Sequence, residues 1–135
     1  TPKKYVGLEK EENFHKKSLI KFSKFENFEA LNETHETISK DQKYDWVVAS
    51  GVFCFKSQSI DEIQIAITNV WNLASRGMAI NFLSDYTTGM KKENFRHIDP
   101  VTMIEFFRKN ISPRITMRHD YLDNDFTIYA YKENN

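Results

Sequence analysis

Residues Tyr44 to Phe55 read Tyr-Asp-Trp-Val-Val-Ala-Ser-Gly-Val-Phe-Cys-Phe. An apolar run follows a lone Asp, stops at Ser50-Gly51 and leads toward a strong helix signal. The run does not alternate with polar residues, which predicts a strand buried on both faces, as in a parallel sheet. In such sheets ligands bind just beyond the carboxyl ends of the strands. The run is therefore a core strand and, at Ser50 and Gly51, a candidate site.

The flanking segments repeat the alternation of strand and helix. Lys4 to Glu9 reads as a short strand ending in an acid, and Lys10 to Phe22 as a helix with Phe14, Ser18, Leu19 and Phe22 at helical spacing. A short strand is expected within Phe25 to Leu31. Ser59-Ile60-Asp61-Glu62 has the capping-box pattern, Ser at the cap and Glu three residues on. Ile63, Ile67, Val70, Trp71 and Ala74 mark the apolar face of the helix it opens, and Gly77 is expected to close that helix in a left-handed turn. Met78 to Leu83 is the next buried strand, and Asp85 to Ile98 a long polar loop. Asp99-Pro100 starts another helix, Asp as cap and Pro at the first helical position, with Val101, Met103, Ile104 and Phe107 on its buried side. Arg114 to Tyr121 and Asp125 to Lys132, joined by Leu-Asp-Asn, form an antiparallel hairpin. The order implies an α/β sheet with helices on both faces.

At 135 residues the chain has the length of one domain, and 40% hydrophobic with 28% charged residues is globular composition. The formal net charge is zero, so bulk charge gives no nucleic-acid or membrane surface. The early lysines, Lys3 to Lys24, read as a solvated helix face balanced by Glu9, Glu11 and Glu12. Cys54 stands alone, which excludes an internal disulfide and a cysteine metal cluster and fits a reducing cytosol. His15, His35, His97 and His119 lack metal-ligand spacing, so no metal is expected. The chain begins Thr-Pro and enters a strand pattern at once, as a truncated or cleaved reading frame would.

With these elements in order, the chain resembles the class I S-adenosylmethionine-dependent methyltransferases without their first strand. The resemblance rests on Tyr5-Val6-Gly7-Leu8-Glu9, on Asp45-Trp46-Val47-Val48-Ala49-Ser50-Gly51, on Arg76-Gly77-Met78-Ala79-Ile80-Asn81-Phe82, on Asp99-Pro100, and on His119-Asp120-Tyr121 with Asp125-Phe126-Thr127-Ile128. It implies a Rossmann-like, mostly parallel methyltransferase sheet closed by a C-terminal antiparallel hairpin, spanning 1–135 as a single partial domain. It implies S-adenosylmethionine as cofactor and methyl transfer to an acceptor that the sequence does not name. In the family the second strand ends in an acid that binds the cofactor ribose, and Glu9 stands in that place; Ser50 and Gly51 would lie at the methionyl end. As residues alone, Glu9 is equally an acid at a strand end and Ser50-Gly51 a plain turn. Asp85 and Tyr86, on the site side of the next strand, are candidates for a substrate lid. The acid on the adenine side stays open among Glu26, Glu29, Glu33 and Asp41.

The departures carry expectations too. The family's Gly-rich loop after strand one is absent; the four glycines include no G-x-G. The chain alone is thus expected to bind cofactor weakly or not at all. The Asn-Pro-Pro-Tyr-type signature of base-amine methylation is replaced by Ser50-Gly51-Val52-Phe53, which argues against that substrate class. Methyl transfer from a sulfonium depends mostly on positioning and desolvation, so the lack of an evident acid–base dyad is compatible with it. Asp45, Asn81 and the His119-Asp120 pair read as structural, and Cys54 as a packing residue. The first strand normally separates the second and fourth, so its absence should leave two strand edges open to dimerisation or strand exchange. The competing reading is a non-catalytic interaction domain on the same fold. A nicotinamide-binding domain fits the closing hairpin less well.

Overall fold

A computed structural model describes residues 3–133. The chain divides into two compact units, Thr1–Ser39 and Lys40–Asn135. The first contains β1 (Tyr5–Leu8), α1 (Glu12–Phe22) and β2 (Phe28–Leu31), with β1 and β2 parallel and Tyr5 opposite Phe28. The helix is joined to the ladder by Phe22 against Phe28, ring centroids 4.8 Å apart, and by the His15 Nε2 contact to the Ala30 carbonyl at 3.1 Å. No residue of α1 is buried, and Phe14 and Leu19 of its apolar spacing are exposed. The strand expected within Phe25 to Leu31 is shorter because residues 22–28 form turns, Phe25 N–H to Phe22 O and Phe28 N–H to Phe25 O.

The second unit contains β3 (Tyr44–Ala49), α2 (Ile60–Leu73), β4 (Ala74–Leu83), α3 (Pro100–Asn110), β5 (Ile115–Leu122) and β6 (Asp125–Tyr131). Its sheet has the order β3-β4-β6-β5, with β3 parallel to β4 and β6 antiparallel to both its neighbours. Both helix starts follow the local chemistry expected of them. Ser59 Oγ accepts the Glu62 N–H at 3.1 Å while Glu62 returns a carboxylate oxygen to the Ser59 N–H at 2.6 Å. Asp99 accepts the N–H groups of Val101 and Thr102, with Pro100 in the first turn.

The core lies on one face of this sheet. Ile63, Ile67 and Val70 of α2 and Met103 and Phe107 of α3 close over Met78, Ile80 and Phe82 of β4 and over Phe126, Ile128 and Ala130 of β6. Each fully buried Ile or Phe contributes about 1.5–3 kcal/mol. In β4 and β6 these are every second residue, so the intervening residues face the other way.

Three expectations are corrected here. β3 is not buried on both faces: Trp46 is 53% and Val48 72% exposed, while Val47 and Ala49 pack against the core. The cause is that both helices of the unit cover one face of the sheet, and Trp46 and Val48 lie on the other. Gly77 does not close α2. The helix ends at Leu73, Ala74 is already extended, and Gly77 lies within β4 without a positive φ. Its missing side chain serves close approach, because a Cβ there would sit 2.7 Å from Cζ3 of Trp46. Finally, Val101 is half exposed rather than on the buried side of α3, which Met103 and Phe107 supply.

Candidate functional site

The carboxyl ends of β3 and β4 lie side by side in the second unit. Beyond Ala49 the chain turns through Ser50 and Gly51, whose φ of +68° is a conformation that favours glycine. A Cβ at Gly51 would meet nothing within 4 Å, so the backbone there is open to approach. Phe53 then drops into the core and anchors the turn, stacked on Phe82 with centroids 6.1 Å apart. Cys54 donates its thiol to the Gly51 carbonyl at 3.0 Å, and burial pushes its pKa up, which suits packing rather than nucleophilic attack.

Ser50 lies at the margin of a shallow concavity of about 390 Å³ on the open sheet face, together with Val48, Asn81, Arg118, Tyr121 and Tyr129. Asn81 donates to Tyr121 Oη at 3.1 Å and to Asp125 Oδ1 at 3.2 Å, and the Tyr121 hydroxyl pairs with Thr127 Oγ1 at 2.7 Å. Arg118 makes two 3.0 Å hydrogen bonds to Asp120, which hold the Asp120 carboxyl below its usual range. Asn81 is thus engaged structurally. Arg118 and Tyr121 were not among the sequence candidates. The ladder register shifts between Arg118 and Leu122, and that irregularity defeats simple alternation along β5.

Beyond β4, Ser84 is fully buried and its N–H donates to the Asn124 carbonyl at 2.8 Å. Asp85 pairs with Lys91. Tyr86 donates its hydroxyl to Asp99, which raises the Tyr86 pKa. The Asp99 carboxyl is lowered first by the Thr102 hydroxyl, and also by the Val101 N–H and the Tyr86 hydroxyl. The two proposed lid residues are therefore held by partners of their own unit. The return limb of their loop pairs with the segment after β3: Arg96 N–H to Cys54 O at 2.9 Å, Lys56 N–H to Asn94 O at 3.2 Å, and Phe55 stacked on Phe95. At the far end of the strands, Ser75 donates to Asp45 at 3.3 Å, a structural tie.

Glu9 belongs to the first unit, just past β1. Its N–H continues the ladder to Leu31 O at 3.0 Å, and its Oε1 accepts the Glu11 N–H at 2.9 Å. Beyond the paired end of β2 stands Glu33, whose Oε2 is buried without a hydrogen-bond partner. Of the other acids left open by the sequence, Glu29 pairs with Lys4 at 2.5 Å, and Glu26 and Asp41 are exposed. The unit also has a groove of about 420 Å³ lined mainly by Tyr5, Leu8, Phe22, Phe25 and Phe28, with Glu9 on its margin. Among the described residues no group of three or more His, Cys, Asp or Glu could hold a metal ion, and no helix is long and apolar enough to cross a membrane.

Solved structures share this fold. Magnesium protoporphyrin IX methyltransferase (ChlM) from Synechocystis PCC 6803, solved with bound SAH, matches 95% of this chain and 63% of its own length at a TM-score of 0.68 and 15% identity. N-methyltransferase NodS from Bradyrhizobium japonicum WM9 matches 98% of this chain and 75% of its own at a TM-score of 0.68 and 10% identity. The chain has the fold of a class I methyltransferase. In sequence it is similar to a candidate methyltransferase of Mycobacterium tuberculosis strain H37Rv, 26% identical over 98 residues. That match takes in 68% of this chain and 59% of the relative. No family model matches. The chain thus spans about three fifths of the length of the curated relative and of ChlM. The closing antiparallel hairpin expected from the resemblance is β5 and β6 of the second unit, and the first unit holds the strand, helix and strand read before it.

Proposed function

We propose that this chain is part of an S-adenosylmethionine-dependent methyltransferase. The observation that carries the reading is the strand order β3-β4-β6-β5, in which the reversed β6 is inserted beside β4. Parallel nucleotide-binding sheets have no need of such a strand. The residues present fit the cofactor in part. Glu9 offers a carboxylate at a strand end, suited to a ribose diol. Glu33, with its orphaned oxygen, is the best supported of the four acids for the adenine side. Gly51 and Ser50 leave backbone open for the methionyl end. A bound sulfonium cofactor supplies an already activated methyl group, so the chain's share of the work is to orient an acceptor and exclude water. Asp85 and Tyr86 would serve the acceptor side. Without a Gly-rich loop, the isolated chain should bind weakly, in the millimolar range or about −4 kcal/mol.

The second reading, an interaction domain on the same fold, is favoured by the edge of β3, which among the described strands pairs with β4 alone. A partner strand, from a second copy or from elsewhere, would complete that edge. The lone Cys54 supports a cytoplasmic setting.

Ligand-observed NMR tests the enzyme reading. Saturation transfer to the ribose and adenine protons of S-adenosylhomocysteine should be seen with the chain and should fall with Glu9→Ala, whereas NADH should give none. A chain that transfers no saturation to millimolar S-adenosylhomocysteine would overturn it. Micromolar affinity in calorimetry would contradict the claim that binding is weak.

A further inference from the structure

The loop from Ser84 to Ile98 is a strap held in three places by unlike means. Its base is backbone: Asp85 N–H to Ile98 O at 2.9 Å and Ile98 N–H to Leu83 O at 2.8 Å. Its return limb is backbone and aromatic, through Cys54 to Lys56 as described. Thr87 and Thr88 of its outgoing limb are held by one side chain, between the Asp85–Lys91 pair and the Tyr86 N–H bond to Ser84 Oγ. A single oxygen of Asp123, Oδ2, accepts the Thr88 N–H at 2.8 Å, the Thr88 hydroxyl at 2.9 Å and the Thr87 hydroxyl at 3.1 Å. Asp123 sits in the two-residue turn between β5 and β6, and the neighbouring Asn124 carbonyl fixes the end of β4. The turn is thus a rigid post and the outgoing limb a strap hooked over it. At the apex Met90 is 95% exposed.

We propose that Asp123 is a positioning residue that latches this strap and so sets the places of Asp85 and Tyr86 at the carboxyl ends of β3 and β4. The three bonds converge on one carboxylate, so the outgoing limb can open as a unit while the return limb stays paired. Hydrogen bonds to an ionised acceptor are stronger than neutral ones, which lets a single residue hold an exposed loop. Any use of the latch to admit an acceptor rests on the methyltransferase reading. The latch itself does not, and its test is made without cofactor, so the two can fail separately.

Amide hydrogen exchange of the ligand-free chain decides it. Asp123→Ala should speed exchange at Thr88 roughly tenfold or more, since loss of one charge-assisted bond is worth about a factor of ten. Lys56, Arg96 and Ile98 amides should keep their protection. Asp123→Asn retains a neutral acceptor in the same place and should restore part of the Thr88 protection. Thr87→Val with Thr88→Val removes the two hydroxyl donors without touching the turn and should give an intermediate rate. Unchanged exchange at Thr88 in Asp123→Ala, equal acceleration across the whole strap, or an Asn variant no better protected than Ala would each overturn the proposal.

Discussion

Gly77→Ala separates two accounts of one residue. A helix-closing glycine would resist alanine through backbone strain at positive φ, but Gly77 has no such φ and lies inside β4. The cost must then be steric. An added Cβ would stand 2.6 Å from the Ala130 carbonyl oxygen and 2.7 Å from Cζ3 of Trp46. The indole is half exposed and can swing aside. The carbonyl belongs to β6 and cannot retreat without stretching the β4-β6 ladder around the Met78–Ala130 pair. Overpacking against backbone costs about 1–3 kcal/mol, with the upper half expected for so short a contact. Removing a glycine from the unfolded chain returns about 0.4–1 kcal/mol. The net loss should be about 1–2.5 kcal/mol, or roughly 4–20 °C in melting temperature for a unit near 100 residues. Urea denaturation should show a lower midpoint with an unchanged m-value. Adding Trp46→Ala should recover only part of the loss, because the carbonyl clash remains. A neutral or stabilised Gly77→Ala would refute the close-approach argument.

Other expectations follow from the same geometry. Ser59→Ala should cost about 1 kcal/mol by opening the capping box. The backbone N–H of Ser59 first, and its side chain, hold the Glu62 carboxyl below its ordinary value, so the carboxylate's own share of the box is present above the unfolded pKa and is lost as pH falls through the folded one. An NMR titration should show the Ser59 amide shifting at the Glu62 midpoint, below the usual Glu range. Val48→Lys should change stability by no more than about 0.5 kcal/mol, since the side chain is exposed, whereas Val47→Asp should cost several times that; chemical denaturation compares them. Asp99→Asn should bring the Tyr86 pKa back down toward its ordinary value, read by ultraviolet titration of the phenol, because Asp99 is the first cause of its rise.

What the sequence made legible was local. The Ser59 and Asp99 helix starts, the turn at Gly51 and the hairpin near Asp123 each depend on a few neighbouring residues, and those neighbours are contiguous. The succession of strands and helices along the chain followed from alternation plus the hairpin. The exposure of Trp46 and Val48 was not legible, because an apolar run in a sheet covered on one face reads the same as one in a sheet covered on both. Nor was the reason for Gly77, which depends on an indole from another strand and a carbonyl from a third. Among the candidate residues, Ser50 and Glu9 stood out because they end strands. Arg118, Tyr121 and Asp123 did not, because the register shift in β5 and the fold of the strap bring them into play.

The methyltransferase reading stands or falls on whether the turn after β3 meets the cofactor. Protein-observed NMR with S-adenosylhomocysteine at millimolar concentration decides it. The Ser50 and Gly51 amides should shift along a saturation curve, and Gly51→Val should weaken that curve. Shifts spread over the surface without those two residues, or no shifts at all, would contradict the reading.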